Sequence, residues 1–282
     1  MQVLDAHTHI VPPEILAQRE QLLSREAHFA ALYADPRARL ATADDLLSAL
    51  GHAGARGALA FGFAFDDPGL CRLCNDYTLA SAAESRGLIL PFAVVNPATP
   101  EGLREASRCL AAGALGLGEL MPFGQGYDLD HPGLGHLLEL ACEANAPVLL
   151  HVNEPLGHAY AGKGPHGPAE ALCLVQRHPY TDIILAHWGG GLCFYELMPE
   201  VRAACTRVYY DAAASGYLYD DAIYACAMQW APERVLWGSD YPLISPRRAL
   251  ARVRALGLAP QAEAALLGGN LTHLLEKGMG PR

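Results

Sequence analysis

Nearly continuous runs of Val, Ile, Leu, Ala and Phe recur eight times along the chain, and segments with helical spacing of apolar residues separate them. Such runs predict strands that are buried on both faces, as in a parallel sheet covered by helices. The predicted strands are residues 3–10, 56–65, 89–96, 114–121, 147–153, 182–188, 207–213 and 234–240.

The segments between the strands predict helices. Thr42 can cap a helix whose first turn carries two acidic residues, and glycines at 54, 87 and 113 stand where helices should end. The predicted helices are residues 45–53, 69–86, 100–112, 133–145, 168–178, 192–204, 219–230 and 246–256. Eight strand–helix units predict an α/β fold, a closed (β/α)₈ TIM barrel forming one domain over residues 1–282. A doubly wound open sheet is the alternative, but no glycine-rich nucleotide fingerprint follows an early strand.

Two connections are longer than a barrel requires, residues 11–41 after the first strand and 154–167 after the fifth. The first has room for one or two short helices, and the second is rich in Gly and Pro. Both leave the carboxyl ends of strands, where barrel enzymes build their active sites.

Composition narrows the class of protein. The 282 residues are 51% hydrophobic and 18% charged, which argues for a large buried core and against disorder. The net charge of −10 argues against a nucleic-acid partner. Because no secretory signal or membrane-length apolar run is visible, we expect a cytoplasmic protein without a membrane partner. The pair Cys71 and Cys74 is interpreted as part of a buried helical face, since no second pair has zinc-ribbon spacing.

Polar side chains with metal-binding chemistry stand at or near the ends of five predicted strands. His7 and His9 are two residues apart on the first strand, so both side chains point to the same face. Imidazole nitrogens at that spacing can converge on one ion. The other members of the set are Glu119, His151, His187 and Asp240, on the fourth, fifth, sixth and eighth strands.

Each of these residues also has an ordinary structural interpretation. An isolated His-x-His is a weak signal, a single buried histidine usually satisfies a core hydrogen bond, and a strand-end acid can simply brace a loop. Closure of the sheet would, however, place all six around one rim. Burying them together without a cation would carry a large desolvation cost, which favours a metal site.

Several short motifs resemble the amidohydrolase superfamily. They are Asp5-Ala6-His7-Thr8-His9, Leu150-His151, Ala186-His187-Trp188-Gly189-Gly190 and Gly238-Ser239-Asp240-Tyr241-Pro242. Residues 75–76, 91–97, 269–271 and 274–275 extend the resemblance over residues 3–276. The sequence is most similar to the second family of the superfamily, which includes decarboxylases of the aminocarboxymuconate semialdehyde type and dicarboxylate lactonases.

By position, the resemblance implies that His7, His9, His151 and Asp240 are metal ligands. It makes His187 either a ligand of a second metal or a catalytic hydrogen-bonding residue. Mononuclear members of the second family generally lack a ligand at Glu119, whereas TatD-like binuclear hydrolases place a bridging carboxylate at a comparable strand end. The order of ligands favours two metals, although one remains open; zinc is the expected divalent metal, and manganese, iron or cobalt would also fit.

The predicted function is hydrolysis of an amide, lactone or ester in a small molecule by a metal-activated water. Asp240 would accept the proton of the nucleophile and return it to the leaving group, and His187 would polarise the carbonyl. Non-oxidative decarboxylation of an unsaturated or aromatic carboxylic acid in the same pocket is the alternative. A catalytically silent barrel is a third hypothesis, disfavoured because it would need none of these residues. Asp5 could orient a histidine or simply pack in the core.

Substrate contacts are expected from the 154–167 loop and its neighbours. Lys163, His158 and Tyr160 could hold a carboxylate or phosphate of an anionic substrate, with a solvated surface loop as the equal alternative. Trp188 would line the pocket or pack beneath it. The remaining histidines, His28 among them, are predicted to have no catalytic role, and the oligomeric state, monomer or homo-oligomer, stays open.

Overall fold

Eight parallel strands form one sheet in chain order, β1 to β8, in the computed structural model, which describes residues 2–279. The strands are β1 (Leu4–His9), β2 (Gly57–Phe61), β3 (Ile89–Ala93), β4 (Gly116–Leu120), β5 (Val148–Leu150), β6 (Ile183–Leu185), β7 (Val208–Asp211) and β8 (Val235–Leu236). Met1 and residues 280–282 of the predicted domain lie outside the described residues. The TIM-barrel prediction is confirmed.

Backbone hydrogen bonds between the first strand and the end of the eighth close the sheet. The amide of Ala6 donates to the carbonyl of Trp237 at 2.8 Å, and that of His9 donates to Tyr241 at 2.7 Å. Between them, the amide of Asp240 donates to the carbonyl of His7 at 3.0 Å. Residues at opposite ends of the chain are therefore neighbours on one rim, which excludes the open sheet.

Helices surround the barrel. They are α1 (Pro13–Ala17), α2 (Arg19–Arg25), α3 (Ala27–Tyr33), α4 (Ala43–Ala53), α5 (Pro68–Glu84), α6 (Gly102–Ala111), α7 (Pro132–Glu143), α8 (Pro168–Arg177), α9 (Leu192–Tyr195), α10 (Pro199–Ala204), α11 (Ser215–Leu218), α12 (Ala222–Trp230), α13 (Pro246–Arg254), α14 (Pro260–Ala264) and α15 (Asn270–Met279). A 3₁₀ turn covers His187–Gly191 and a π turn covers Ala265–Gly269. Thr42 caps α4 as predicted, since its hydroxyl accepts from the amide of Asp45.

Predicted helix numbers and strand lengths need correction. The 11–41 connection holds three helices, α1 to α3, instead of one or two. The segment predicted as one helix over 192–204 is two, because Pro199 starts a new helix at its first position. The second strand ends at Phe61 instead of residue 65, although Phe63 and Phe65 are also buried. Both side chains are buried in the loop after the strand, so the continuous hydrophobic run predicted too long a strand.

Alternate residues of each strand build two buried layers. On β5 and β6, Val148, Leu150, Ile183 and Leu185 pack in the cluster that includes the surrounding helices. Leu149 and Ile184, one residue out of phase, belong to the cluster that fills the barrel. The interior is thus a packed core, and the predicted histidines and carboxylates meet it near the carboxyl ends of the strands. None of the helices within residues 2–279 combines the length and apolar character that a membrane crossing requires.

Candidate metal centre and active site

The two histidines of the first strand converge as their spacing predicts. Nε2 of His7 and Nε2 of His9 lie 3.2 Å apart. Oε2 of Glu119 lies 3.5 Å from both nitrogens, and Oδ1 of Asp240 lies 3.7 Å from His7 and 3.5 Å from His9. Four donors from three strand ends therefore surround one small volume.

The other two predicted histidines lie on the opposite side of Glu119. Nδ1 of His151 is 2.8 Å from Oε1 of Glu119, and Nε2 of His187 is 3.2 Å from the same His151 nitrogen. Oε1 of Glu119 is 3.7 Å from His187. One carboxylate oxygen thus faces His7 and His9 while the other faces His151 and His187, so all six predicted ligands meet around a single carboxylate.

Hydrogen bonds fix which nitrogen of two of these rings faces the site. Nδ1 of His7 donates to Oδ2 of Asp211 at 2.9 Å, which leaves the Nε2 lone pair free for a ligand role. Nδ1 of His187 donates to the carbonyl of Ala213 at 3.1 Å, with the same consequence for its Nε2. Sequence analysis missed Asp211; its position at the end of β7, two residues after the inward-facing Tyr209, was the available signal.

Two of the site residues adopt left-handed backbone conformations that non-glycine residues rarely take. The φ angles are 54° for His187 and 63° for Asp240. The strand alternation that places Ile184 inside the barrel would turn residue 187 outward. The left-handed turn instead brings the His187 ring to 5.4 Å from that of His7. The amide of His187 donates to Oδ1 of Asp211 at 3.0 Å, which helps to hold this conformation.

Charges within the cluster balance each other. Burial opposes ionisation of Asp240 and Glu119, but the surrounding histidines outweigh it and lower the pKa of Asp240 to about 2 and that of Glu119 below its usual range. Burial lowers the pKa of His7, but Glu119 and Asp211 overcome this effect and raise it above its ordinary value. Both carboxylates are therefore ionised at neutral pH and attract positive charge.

The donor set fits a divalent cation. Oε2 of Glu119 is buried without a hydrogen-bond partner among the described residues, an arrangement that leaves a carboxylate oxygen uncompensated. Two nitrogens bound to one ion at about 2.0–2.1 Å in a tetrahedral site lie about 3.3–3.4 Å apart, close to the 3.2 Å between His7 and His9. Ligand atoms within 4.8 Å of one another form two groups, His7 with His9 and Asp240, and His7 with Glu119 and His187.

Above this cluster lies a cavity of about 420 Å³. Its walls are mainly aliphatic and aromatic: Leu32, Tyr33, Phe63, Met121, Tyr160, Tyr217, Leu218 and Leu243. Arg39 is the one Arg or Lys among the described lining residues, and it belongs to the long connection after β1. A cavity of this size suits a small-molecule ligand.

Of the four predicted substrate contacts, two line the cavity and two do not. His158 and Tyr160 line the cavity. Lys163 is not among the lining residues, because its ammonium donates to the carbonyls of Leu156 at 2.7 Å and of His158 at 3.2 Å within its own loop. Trp188 is buried below the cavity, where its indole N–H donates to Oγ of Ser215 at 2.7 Å.

Several cavity residues, His28 and Arg39 among them, come from the 11–41 connection, where the sequence offered no strand end to mark them. Arg39 was not among the predicted site residues, and His28 was predicted to have no catalytic role; both line the cavity. By contrast, Cys71 and Cys74 are buried free thiols on α5, as expected.

Imidazoles and carboxylates gathered at the carboxyl ends of eight parallel strands define a TIM-barrel protein with a candidate metal-dependent active site. The chain belongs to the amidohydrolase family, whose model matches residues 4–275. The family expected from the sequence motifs is thereby confirmed. A comparison with curated proteins gives no match.

Solved structures with the same fold cover almost the whole chain at low identity. A 5-carboxyvanillate decarboxylase from Sphingomonas paucimobilis aligns with a TM-score of 0.78 at 16% identity, over 98% of this chain and 99% of that one. A dihydroxybenzoic acid decarboxylase from Polaromonas sp. JS666, with bound manganese and 2-nitroresorcinol, gives 0.72 at 17% identity over 98% and 97%. A probable 2-pyrone-4,6-dicarboxylic acid hydrolase from Acinetobacter baumannii, with citric acid bound, gives 0.66 at 18% identity over 98% and 100%.

Proposed function

We propose that the chain is a metal-dependent, non-oxidative decarboxylase of an aromatic carboxylic acid. The observation that carries the proposal is a cluster of histidines and carboxylates at the base of a largely apolar cavity of about 420 Å³. Such walls suit a planar ring, while Arg39 and a cation at the cluster suit negatively charged substituents. The similar structures described as decarboxylases of 5-carboxyvanillate and dihydroxybenzoic acid support this choice over our first expectation of hydrolysis.

A divalent cation would be held by His7, His9, Glu119 and Asp240, with His151 and His187 on the other side of Glu119. When bound, it would supply positive charge that orients an anionic substrate and polarises the oxygens it contacts. Manganese is supported by the relative that contains it, and zinc by the preference of that ion for imidazole.

The reaction replaces a C–C bond to the carboxylate with a C–H bond. The site must therefore deliver one proton to the ring carbon as carbon dioxide leaves. Asp240 and His187 are the candidates for holding and moving that proton, because both line the cavity and belong to the cluster. The apolar walls of the cavity exclude water from the substrate ring, which strengthens the electrostatic interactions of Asp240 and His187 with the substrate.

The direct test uses protein reconstituted with manganese and, separately, with zinc. Each preparation is incubated with 2,6-dihydroxybenzoate and 5-carboxyvanillate, and released carbon dioxide is measured. Reaction in deuterium oxide should place one deuterium on the ring carbon that bore the carboxylate. Failure to release carbon dioxide from a panel of hydroxylated and methoxylated aromatic acids would contradict the proposal.

Hydrolysis of a lactone is the second candidate, and the position of Glu119 favours it. A carboxylate with one oxygen toward His7 and His9 and the other toward His151 suits a bridge between two ions. The similar structure of a probable 2-pyrone-4,6-dicarboxylic acid hydrolase gives further support. Two ions per chain, with proton release and no carbon dioxide from that lactone, would establish this activity instead.

A further inference from the structure

His28 lies outside the metal cluster and has no part in the proton transfer described above, yet its side chain borders the substrate cavity. It comes from α3, in the long connection after β1. The same residue also borders a small side cavity that it shares with His151 and Asn153. The imidazole of His28 makes no hydrogen bond to another residue in the described range, so its polar atoms are free to meet a ligand.

Two neighbours, Phe63 and Gly124, pack against the ring. Phe63 stacks on one face, with ring centroids 5.7 Å apart and an angle of 22° between the planes. Gly124 also lies close to the ring: a Cβ at that position would lie 2.4 Å from Cδ2, 2.6 Å from Cγ and 2.8 Å from Nε2 of His28. These three distances are nearly equal, which is possible only for a position above the plane of the imidazole ring. These contacts restrict the ring, while its nitrogen atoms have no protein hydrogen-bond partner among the described residues.

A packed ring with a free polar edge is an arrangement that recognises a specific group. Any side chain at residue 124 would displace the imidazole, so the glycine provides the space in which it sits. The polar edge of His28 has no protein partner among the described residues, so a bound molecule that displaces water from this cavity must supply one. This requirement gives His28 a means of selecting among rings of similar size.

Burial lowers the pKa of His28 to about 4, assisted by the positive charge on His151 and opposed by Glu119. The imidazole is consequently neutral at physiological pH and presents one donor and one acceptor. An uncharged hydroxyl can use either atom. A carboxylate gains little from a neutral ring, and Arg39 offers it a charged donor in the same cavity.

We propose that His28 is a specificity-determining residue that hydrogen-bonds a hydroxyl substituent on the ring of the substrate. The assignment rests on the proposed function only in taking the ligand to be an aromatic acid. It distinguishes two polar regions of one cavity: the metal cluster and Arg39 for negatively charged groups, and His28 for a neutral hydroxyl.

The test measures binding of two probes, 2,6-dihydroxybenzoate and unsubstituted benzoate, to the manganese-loaded protein by calorimetry. The wild-type chain should prefer the hydroxylated ring. His28→Phe, which keeps a flat ring against Phe63, should weaken binding of 2,6-dihydroxybenzoate by about five- to tenfold and leave benzoate unchanged. His28→Gln should recover part of the preference, and Gly124→Ala, which displaces the ring without removing it, should resemble His28→Phe.

His52→Phe, at an exposed position on α4, serves as the matched control and should bind both probes like the wild type. Metal content and melting temperature are compared for every variant, so that a folding defect is recognised. No preference in the wild type, or an equal loss for both probes in His28→Phe, overturns the assignment. Carbon dioxide release is measured separately: a His28-dependent preference without release would reject decarboxylation and keep the specificity role.

Discussion

Nδ1 of His7 donates a hydrogen bond to Oδ2 of Asp211 at 2.9 Å, across 204 residues of sequence. This bond joins the first strand to the seventh inside the barrel and holds one tautomer of the histidine. The same carboxylate accepts the amides of His187 and Ala213 through Oδ1, both at 3.0 Å. Asp211 therefore positions two candidate ligands without facing the cavity itself.

Asp211→Ala is accordingly expected to lower metal affinity by about 10- to 100-fold, because the His7 ring loses the bond that fixes its orientation and tautomer. Titration of metal-free protein with manganese, followed by calorimetry, measures the effect. Asp128→Ala is the control, since Asp128 pairs with His166 through a mostly exposed carboxylate. Unchanged affinity in Asp211→Ala would show that this bond does not support the metal site.

Asp240→Asn should lower kcat by about 10²- to 10⁴-fold, because an amide cannot hold and return a proton at that position. The measurement is the initial rate of carbon dioxide release or lactone opening, whichever reaction the wild type performs. Asp221→Asn, near the start of α12, should retain the wild-type rate. A variant at Asp240 that kept its full rate would remove this residue from the mechanism.

Arg39→Ala should raise KM for an anionic substrate by about tenfold with little change in kcat, since the guanidinium contributes to binding the charged substituent and not to the reacting bond. Arg39→Lys should recover part of the loss because it restores the charge but not the planar donor pair. Steady-state kinetics separates the two constants. A fall in kcat with constant KM would place Arg39 in the chemistry instead.

Acidification should release the metal through the histidines. The ionic partners that raise the pKa of His7 and His151 overcome burial, so protons compete for these nitrogens over a pH range that begins above that of an ordinary histidine. Asp240, with a pKa of about 2, stays ionised throughout that range. Metal content after dialysis at pH 7.5, 6.5, 5.5 and 4.5 should fall steadily, and full retention at pH 4.5 would contradict proton competition at these ligands.

Glu196→Ala should destabilise the fold by about 3–5 kcal/mol without altering metal affinity. Its carboxylate pairs with Arg234, both side chains are buried, and Tyr210 donates to it at 2.7 Å. Removing the acid leaves the guanidinium as an uncompensated buried charge. Urea denaturation measures the free energy of unfolding, and Glu101→Ala, in an exposed pair with Arg104, should cause no measurable loss.

The barrel and its rim of ligands could be predicted because they depend on repeated patterns. Eight apolar runs required eight strands, and a residue at the end of a strand must lie on the rim when the sheet closes. The cavity walls could not be predicted in this way. Arg39 and His28 lie in a connection without periodicity, and their side chains meet the site only because α1 to α3 fold over the barrel.

Trp188 lies next to a predicted site residue in the sequence, yet its side chain is not part of the cavity wall. Its place beside His187 left two alternatives, a pocket wall or core packing, and the left-handed turn at residues 187–190 directs the indole into the core against Tyr224. Lys163 likewise lies in the expected loop, yet its ammonium is bound by carbonyls of that loop. Sequence proximity to the site did not determine the direction of either side chain.

The sequence by itself determined the barrel, the amidohydrolase family and the six polar residues at its rim, since local periodicity and strand-end position follow directly from residue order. Tertiary structure decided that Glu119 lies between two histidine pairs, that Asp211 orients His7, and that His28 faces the cavity. These relationships join segments distant in the chain. Their distances depend on how closed strands and covering loops pack, which no local pattern encodes.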